Sequence, residues 1–267
     1  MLYAALLLTA VVPAPAQPVL VMGDSRDDVS GVLPEIVAQA GRIPGIAFAI
    51  YLGDMTSAAR PDEFAHYRQV VGKLKIPLFA VPGNHDRGRA ASYEKEVGPA
   101  YYSHQLGRWR FIFIDNSTES LGSIQLDWVK TELEDASARR DWIVLAIHKP
   151  IWCPGGGGHV MEEPGKQVLL DLVRRYHVRL VLGAHVHDYF KYVHDGVTHV
   201  TTGGAGAPLT GLGAYYHYVV ADFHDDGRFD IRVVRVNPGG HSGAMLPSAL
   251  QRIVSEAGRL VRSARPN

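Results

Sequence analysis

Cysteine is nearly absent: Cys153 is the only one in 267 residues. A single thiol excludes an internal disulfide, a multi-thiolate zinc site and CxxC redox chemistry. Net charge is lacking too. Lysine plus arginine number 27, aspartate plus glutamate number 27, and there is no basic cluster. That argues against general nucleic-acid binding, which draws on counterions released by lysine and arginine. The sequence also has no linker, charge run or internal repeat, so one domain is expected rather than two.

No apolar run is long enough to span a bilayer comfortably. Residues 1–12 are apolar and uncharged, but short, and Pro13-Ala14-Pro15-Ala16 adds a small-x-small pattern. This reads as a secretory signal peptide cut after Ala16, which would make the protein exported, periplasmic or secreted. The mature chain would then carry no transmembrane segment. Residues 17–240 are expected to form the main domain. Residues 241–267 would form a helical tail whose apolar stripe, from Leu250 to Val261, packs on the body.

What the chain does have is histidine, 13 in all. It also has a series of short apolar runs, over 18–22, 46–52, 77–81, 142–147 and 178–182. Helical spacing separates them, over 32–40, 62–73, 124–136 and 167–176. Nearly continuous apolar strands alternating with helices predict an α/β fold with its sheet covered on both faces. A hairpin is expected around Gly107. Strand-like alternation follows over 189–193, 197–202, 216–223 and 229–236, with Asp195-Gly196 and Asp226-Gly227 as hairpin turns.

Five of these strands end in a polar cluster: Asp24, Asp54, Asn84-His85-Asp86, His148, and the pair His185 and His187. One Gly-Asp after a strand is an ordinary turn, and a lone histidine is usually structural or solvated. Five clusters at equivalent positions, expected at one edge of one sheet, mark a binding site. Carboxylate, amide oxygen and imidazole suit Mn, Fe, Zn or Co better than thiolate-loving metals. His185 and His187 are two apart, so on a straight strand both would face one way. A carboxylate such as Asp54 can bridge two ions, and two ions can clamp a phosphoryl group and lower the pKa of a water.

The ordered series Gly23-Asp24, Gly53-Asp54, Gly83-Asn84-His85-Asp86, His148 and Gly183-x-His185-x-His187 resembles the five-block signature of calcineurin-like metallophosphoesterases. That family includes purple acid phosphatases and bacterial phosphodiesterases. The match covers about residues 18–190. The resemblance implies a two-sheet αββα sandwich of mixed strands flanked by helices. It implies hydrolysis of a phosphomonoester or phosphodiester by a metal-activated hydroxide, with two divalent or trivalent ions as cofactors. By the same resemblance Asp54 bridges, Asn84, His148 and His185 complete one ion's ligands, and Asp24 and His187 hold the other. His85 assists catalysis, and Asp86 orients and charges it. For Asp86 the residues alone also allow a turn cap.

One position departs from the signature. Where the family commonly has Asp-x-His, this chain has Asp24-Ser25-Arg26. Arginine stays protonated and cannot be a ligand. Purple acid phosphatases lack the same histidine but supply a tyrosine three residues after the second aspartate. That place is Ser57 here. Arg26 is therefore either a clamp on a substrate phosphate oxygen or an ion-pair partner of Asp27, Asp28 or a ligand carboxylate.

Trp152, Cys153, the glycines 155–158 and His159 form either a substrate lid, with His159 on the phosphate, or a surface loop. Asp115-Asn116 either lines the cleft or makes a turn. His66, His104, His177, His194, His199, His217, His224 and His241 lack the strand-end context and are expected to be structural or solvated. The expected partner is a small phosphoester. Arg26 also motivates a reading from another class, a degenerate member that binds metal or phosphate without turning it over.

Overall fold

Alternation along each strand sets the layers. In β1 (Gln17–Met22), Val19 and Val21 join one apolar cluster while Leu20 and Met22 join another. The first of these clusters is shared with Phe111, Phe113, Val144 and Leu182 of a second sheet. The other is shared with Ile36, Phe64 and Tyr67 of two helices. Each strand is thus apolar on both sides because one face meets helices and the other meets a sheet.

The computed structural model describes residues 15–238, apart from 27, 29–30, 89–91, 119–120 and 155–158. The apolar stretch of the expected signal peptide, the tail helix, His241 and the four-glycine loop lie outside the described residues.

The first sheet contains β1, β2 (Phe48–Tyr51), β3 (Leu78–Ala80), β10 (His217–Phe223) and β11 (Phe229–Arg235), in the order β11-β10-β1-β2-β3. Strands β1, β2 and β3 are parallel, and β10 runs antiparallel to both β1 and β11. The second sheet contains β4 (Tyr102–Leu106), β5 (Trp109–Phe113), β6 (Trp142–Ala146), β7 (Leu180–Gly183), β8 (Tyr189–His194) and β9 (Val197–Thr202). Its order is β4-β5-β6-β7-β9-β8, parallel through the middle and antiparallel at both edges.

Helices α1 (Val32–Ala40) and α2 (Pro61–Val71) cover the first sheet, and α4 (Ser123–Ala138) and α5 (Gly165–Arg175) cover the second. A short α3 (Tyr93–Glu96) lies between β3 and β4. The Asp28 carboxylate accepts from the backbone N–H of Val32 (3.1 Å) and Leu33 (2.7 Å), which starts α1 without a hydroxyl cap. Edge strand β3 is blocked by Tyr102, whose hydroxyl accepts from Ala80 N–H (2.7 Å) and donates to Ala80 C=O (2.9 Å).

This is the two-sheet sandwich that the resemblance implied. One expectation fails. The five polar strand ends do not share one sheet: β1, β2 and β3 belong to the first sheet, and β6 and β7 to the second. A nearly continuous apolar run says that a strand is buried on both faces; it does not say whether helix or sheet does the burying.

His217 and His199 are structural, as expected. His217 is fully buried, its Nδ1 donates to Tyr215 C=O (2.8 Å), and its Nε2 has no partner among the described residues. Burial pulls its pKa from the usual 6.5 down to about 4, with Arg235 adding repulsion. The rings of Tyr189 and Tyr215 pack against it. The unfolded chain therefore takes up this proton first. Stability falls as pH drops from about 6.5 to about 4, by about 3 kcal/mol at most, and levels off below. His217→Phe should flatten that part of the curve in urea unfolding at a series of pH values. An unchanged slope would contradict the assignment.

Candidate metal centre

Three of the expected ligands sit at left-handed backbone angles: Asp24 (φ 61°), Asp54 (φ 53°) and His185 (φ 66°). Such angles cost energy in a non-glycine residue and persist where surrounding structure enforces them. Here each turns a side chain inward at the end of a strand. Gly53, at φ 88°, precedes Asp54; a Cβ there would lie 2.5 Å from the Gly83 nitrogen and 2.8 Å from His148 Nδ1. Only glycine lets the ends of β2, β3 and β6 approach so closely.

The donors gather in two groups that share Asp54. One is Asp54, His148 and His185, and the other is Asp24, Asp54 and His187; within each group the ligand atoms lie within 4.8 Å of one another. Asn84 completes the first. His148 Nε2 lies 3.1 Å from Asn84 Oδ1, 3.2 Å from His185 Nδ1 and 3.4 Å from Asp54 Oδ1. His148 Nδ1 donates to Leu52 C=O (2.7 Å), which leaves Nε2 as the bare nitrogen. His187 is arranged alike: Nδ1 donates to Pro208 C=O (2.7 Å), and Nε2 lies 3.7 Å from Asp24 Oδ1.

These residues fit metal ions, and their unsatisfied atoms carry the argument. Asp24 Oδ1, Asp54 Oδ2 and His187 Nε2 are buried with no hydrogen-bond partner among the described residues. Three electron-rich atoms stranded in a protein interior are costly unless a cation meets them. Burial, then the neighbouring Asp54 charge, pushes Asp24 well above the usual carboxylate range. Burial also raises Asp54, but His148, the His85 N–H and Arg26 outweigh it and hold Asp54 low. Burial, helped by His148, pulls His185 down to about 3, so its ring stays neutral and keeps a lone pair. Added positive charge is what lets both carboxylates ionise together.

His185 and His187 reach the site differently from the strand argument. Strand β7 ends at Gly183, and tight turns follow, Val186 N–H to Ala184 C=O and Asp188 N–H to Val186 C=O, both 2.7 Å. The two rings therefore serve different groups instead of one face.

Asp86 needs correction as well. Its carboxylate does not orient His85. It accepts from Gly83 N–H (2.8 Å), Thr56 N–H (3.0 Å) and the Thr56 hydroxyl (2.9 Å), tying the turn after β3 to the turn after β2. The helical turn Asn84–Asp86 points Asp86 back into the interior, where it accepts from the N–H of Gly83, the residue just before the turn. The His85 ring is held by Ser57, whose C=O accepts from Nδ1 (2.8 Å). His85 also donates its backbone N–H to Asp54 Oδ1 (2.9 Å).

Arg26 points at a ligand carboxylate, with Nη2 3.6 Å from Asp54 Oδ2. His159 is exposed, and its ring centre lies 6.0 Å from that of His185. The residue that spacing undervalued is Asn116. It is fully buried, its Oδ1 accepts from His148 N–H (2.8 Å) and Lys149 N–H (3.1 Å), and its Nδ2 donates to Lys149 C=O (2.7 Å). Its position after β5 was the one available signal. Cys153 is buried and takes no part in either donor group.

A sandwich of two mixed sheets with two groups of candidate metal ligands at its strand ends is the architecture of a metallophosphoesterase. The calcineurin-like phosphoesterase family profile matches residues 17–189, and the chain belongs to that family. It is 27% identical over 179 residues to a probable cyclic nucleotide phosphodiesterase of Rhodococcus erythropolis, covering 61% of this chain and 58% of that protein. It is 25% identical over 146 residues to the 3',5'-cyclic adenosine monophosphate phosphodiesterase CpdA of Escherichia coli K12, covering 51% and 52%. The aligned part thus spans little more than half of each relative. In fold it is similar to purple acid phosphatase PPD1 of yellow lupin, with a TM-score of 0.64 at 16% identity, covering 85% of this chain and 53% of that one.

Asn116→Ala should leave every ligand in place but loosen the His148 turn. Metal affinity is expected to fall about 10–100-fold, measured by competition with a chromophoric chelator. Unaltered affinity would show that His148 is positioned by other contacts.

Proposed function

We propose that the chain hydrolyses a small phosphoester, monoester or diester, at a site holding two metal ions. The observation that carries this reading is the sharing of Asp54 between two donor groups. Asp54, Asn84, His148 and His185 would hold one ion, and Asp24, Asp54 and His187 the other. The ions, Mn, Fe, Zn or Co, would supply Lewis-acid charge and a water of lowered pKa.

The chain's own residues do the rest. Asn84, which joins the first group, and exposed His159 would meet phosphoryl oxygens. His85, braced at Nδ1 by Ser57, presents Nε2 to the leaving oxygen. As the oxygen of a water that has given one proton to solvent bonds to phosphorus and the ester P–O bond breaks, the leaving oxygen takes the Nε2 proton of a doubly protonated His85, which solvent then restores. The phosphodiesterase relatives favour a diester substrate. Export after Ala16, and a single domain over 17–240 with a packed helical tail, belong to the same proposal.

The test is chelation followed by single addition of Mn, Fe, Zn or Co, with release followed from p-nitrophenyl and bis-p-nitrophenyl phosphate. Turnover should return with at least one metal. Stoichiometric metal binding without turnover would favour the binding-protein reading, which the approach of Arg26 to Asp54 keeps in view. Asp54→Ala and His148→Ala should each abolish turnover and lower bound metal. His85→Ala should keep its metal while turnover drops about 10²–10⁴-fold; full turnover in that variant would remove His85 from the chemistry.

A further inference from the structure

The two donor groups are unequal. The Asp54–His148–His185 group gains a fourth donor from Asn84, whereas the Asp24–Asp54–His187 group offers three. Where a fourth ligand to the second group would be expected, the chain has a permanent cation. Arg26 Nη2 lies 3.6 Å from Asp54 Oδ2, one of the stranded oxygens. A guanidinium cannot ligate an ion, and at this distance it repels one.

Arg26 is also held in place by its backbone. Its N–H donates to Asp54 C=O (2.8 Å), and its φ is 48°. The side chain is only 28% exposed, and its Nε is buried without a hydrogen-bond partner among the described residues. Its contact to Asp54 exceeds hydrogen-bond length, so the guanidinium keeps donors for an incoming anion. A phosphate-class anion seated there offsets the arginine charge and removes the obstacle to a second ion.

We propose that Arg26 makes the second ion conditional: the Asn84-containing position fills alone, and the Asp24–Asp54–His187 position fills only together with a phosphate-class anion bound against Arg26. The inference rests on the two-ion hydrolase reading. It assigns Arg26 as a positioning residue for ion and substrate together. Coupling is reciprocal, so the second ion must tighten the anion by the same factor by which the anion tightens the ion.

The experiment uses Mn(II) and inorganic phosphate. Bound Mn is counted by equilibrium dialysis, and its pairing is read by electron paramagnetic resonance. Wild type should bind one Mn per chain alone and two, exchange-coupled, with phosphate, the second tightened about tenfold or more. Arg26→Gln should take up two without phosphate, and retention of its first Mn confirms its fold. The inference is overturned if wild type takes two Mn of similar affinity without phosphate, or stays at one with it. It is also overturned if folded Arg26→Gln binds the second Mn no tighter than wild type. If Arg26→Gln does not fold, the wild-type pair of titrations still decides. Two equal sites with normal ester hydrolysis would sink the inference alone; no Mn binding at all would sink the hydrolase reading with it.

Discussion

Everything at the strand ends depends on how one carboxylate is divided. Asp54 Oδ1 faces His148 and accepts the His85 N–H, Oδ2 faces Arg26, and the carboxylate also belongs to the group with Asp24 and His187. Two ions can sit side by side only if a shared anion screens them from each other. The geometry that permits the sharing is backbone geometry: a glycine at φ 88°, then an aspartate at φ 53°. The fold holds Asp54 in a conformation it would rarely adopt in a free chain, and the neighbouring turns keep it there.

The supports around Asp54 are polar groups outside the two donor groups. Asp86 binds the turns after β2 and β3 together, Asn116 holds the turn after β6, and Leu52 and Pro208 carbonyls fix two imidazole rings. Each satisfies a buried donor that would otherwise be costly and, in doing so, fixes a ligand atom. Precision at the centre thus comes from ordinary hydrogen-bond satisfaction around it.

Much of this was legible in the chain. Apolar runs located the strands, and the polar residue after each run located Asp24, Asp54, Asn84, His148, His185 and His187. Four features were not legible. Burial on both faces of a strand looks the same whether helix or sheet covers it, so the second sheet entered through family resemblance. Two-residue spacing misled at His185 and His187 because the strand stops at Gly183. Adjacency misled at Asp86, since a tight helical turn sends neighbouring side chains in different directions. Asn116 looked like a turn residue because its hydrogen bonds reach 32 and 33 positions along the chain, beyond any local pattern.

Each donor group draws from both sheets: Asp24, Asp54 and Asn84 follow strands of the first, His148, His185 and His187 strands of the second. Cations bound there would cross-brace the sandwich like a clasp at its open end. Ligand binding to the native state alone stabilises it in proportion to the logarithm of ligand concentration. Trace-metal supply would then govern how long the protein lasts as well as how fast it works, because starvation for metal loosens the halves from each other.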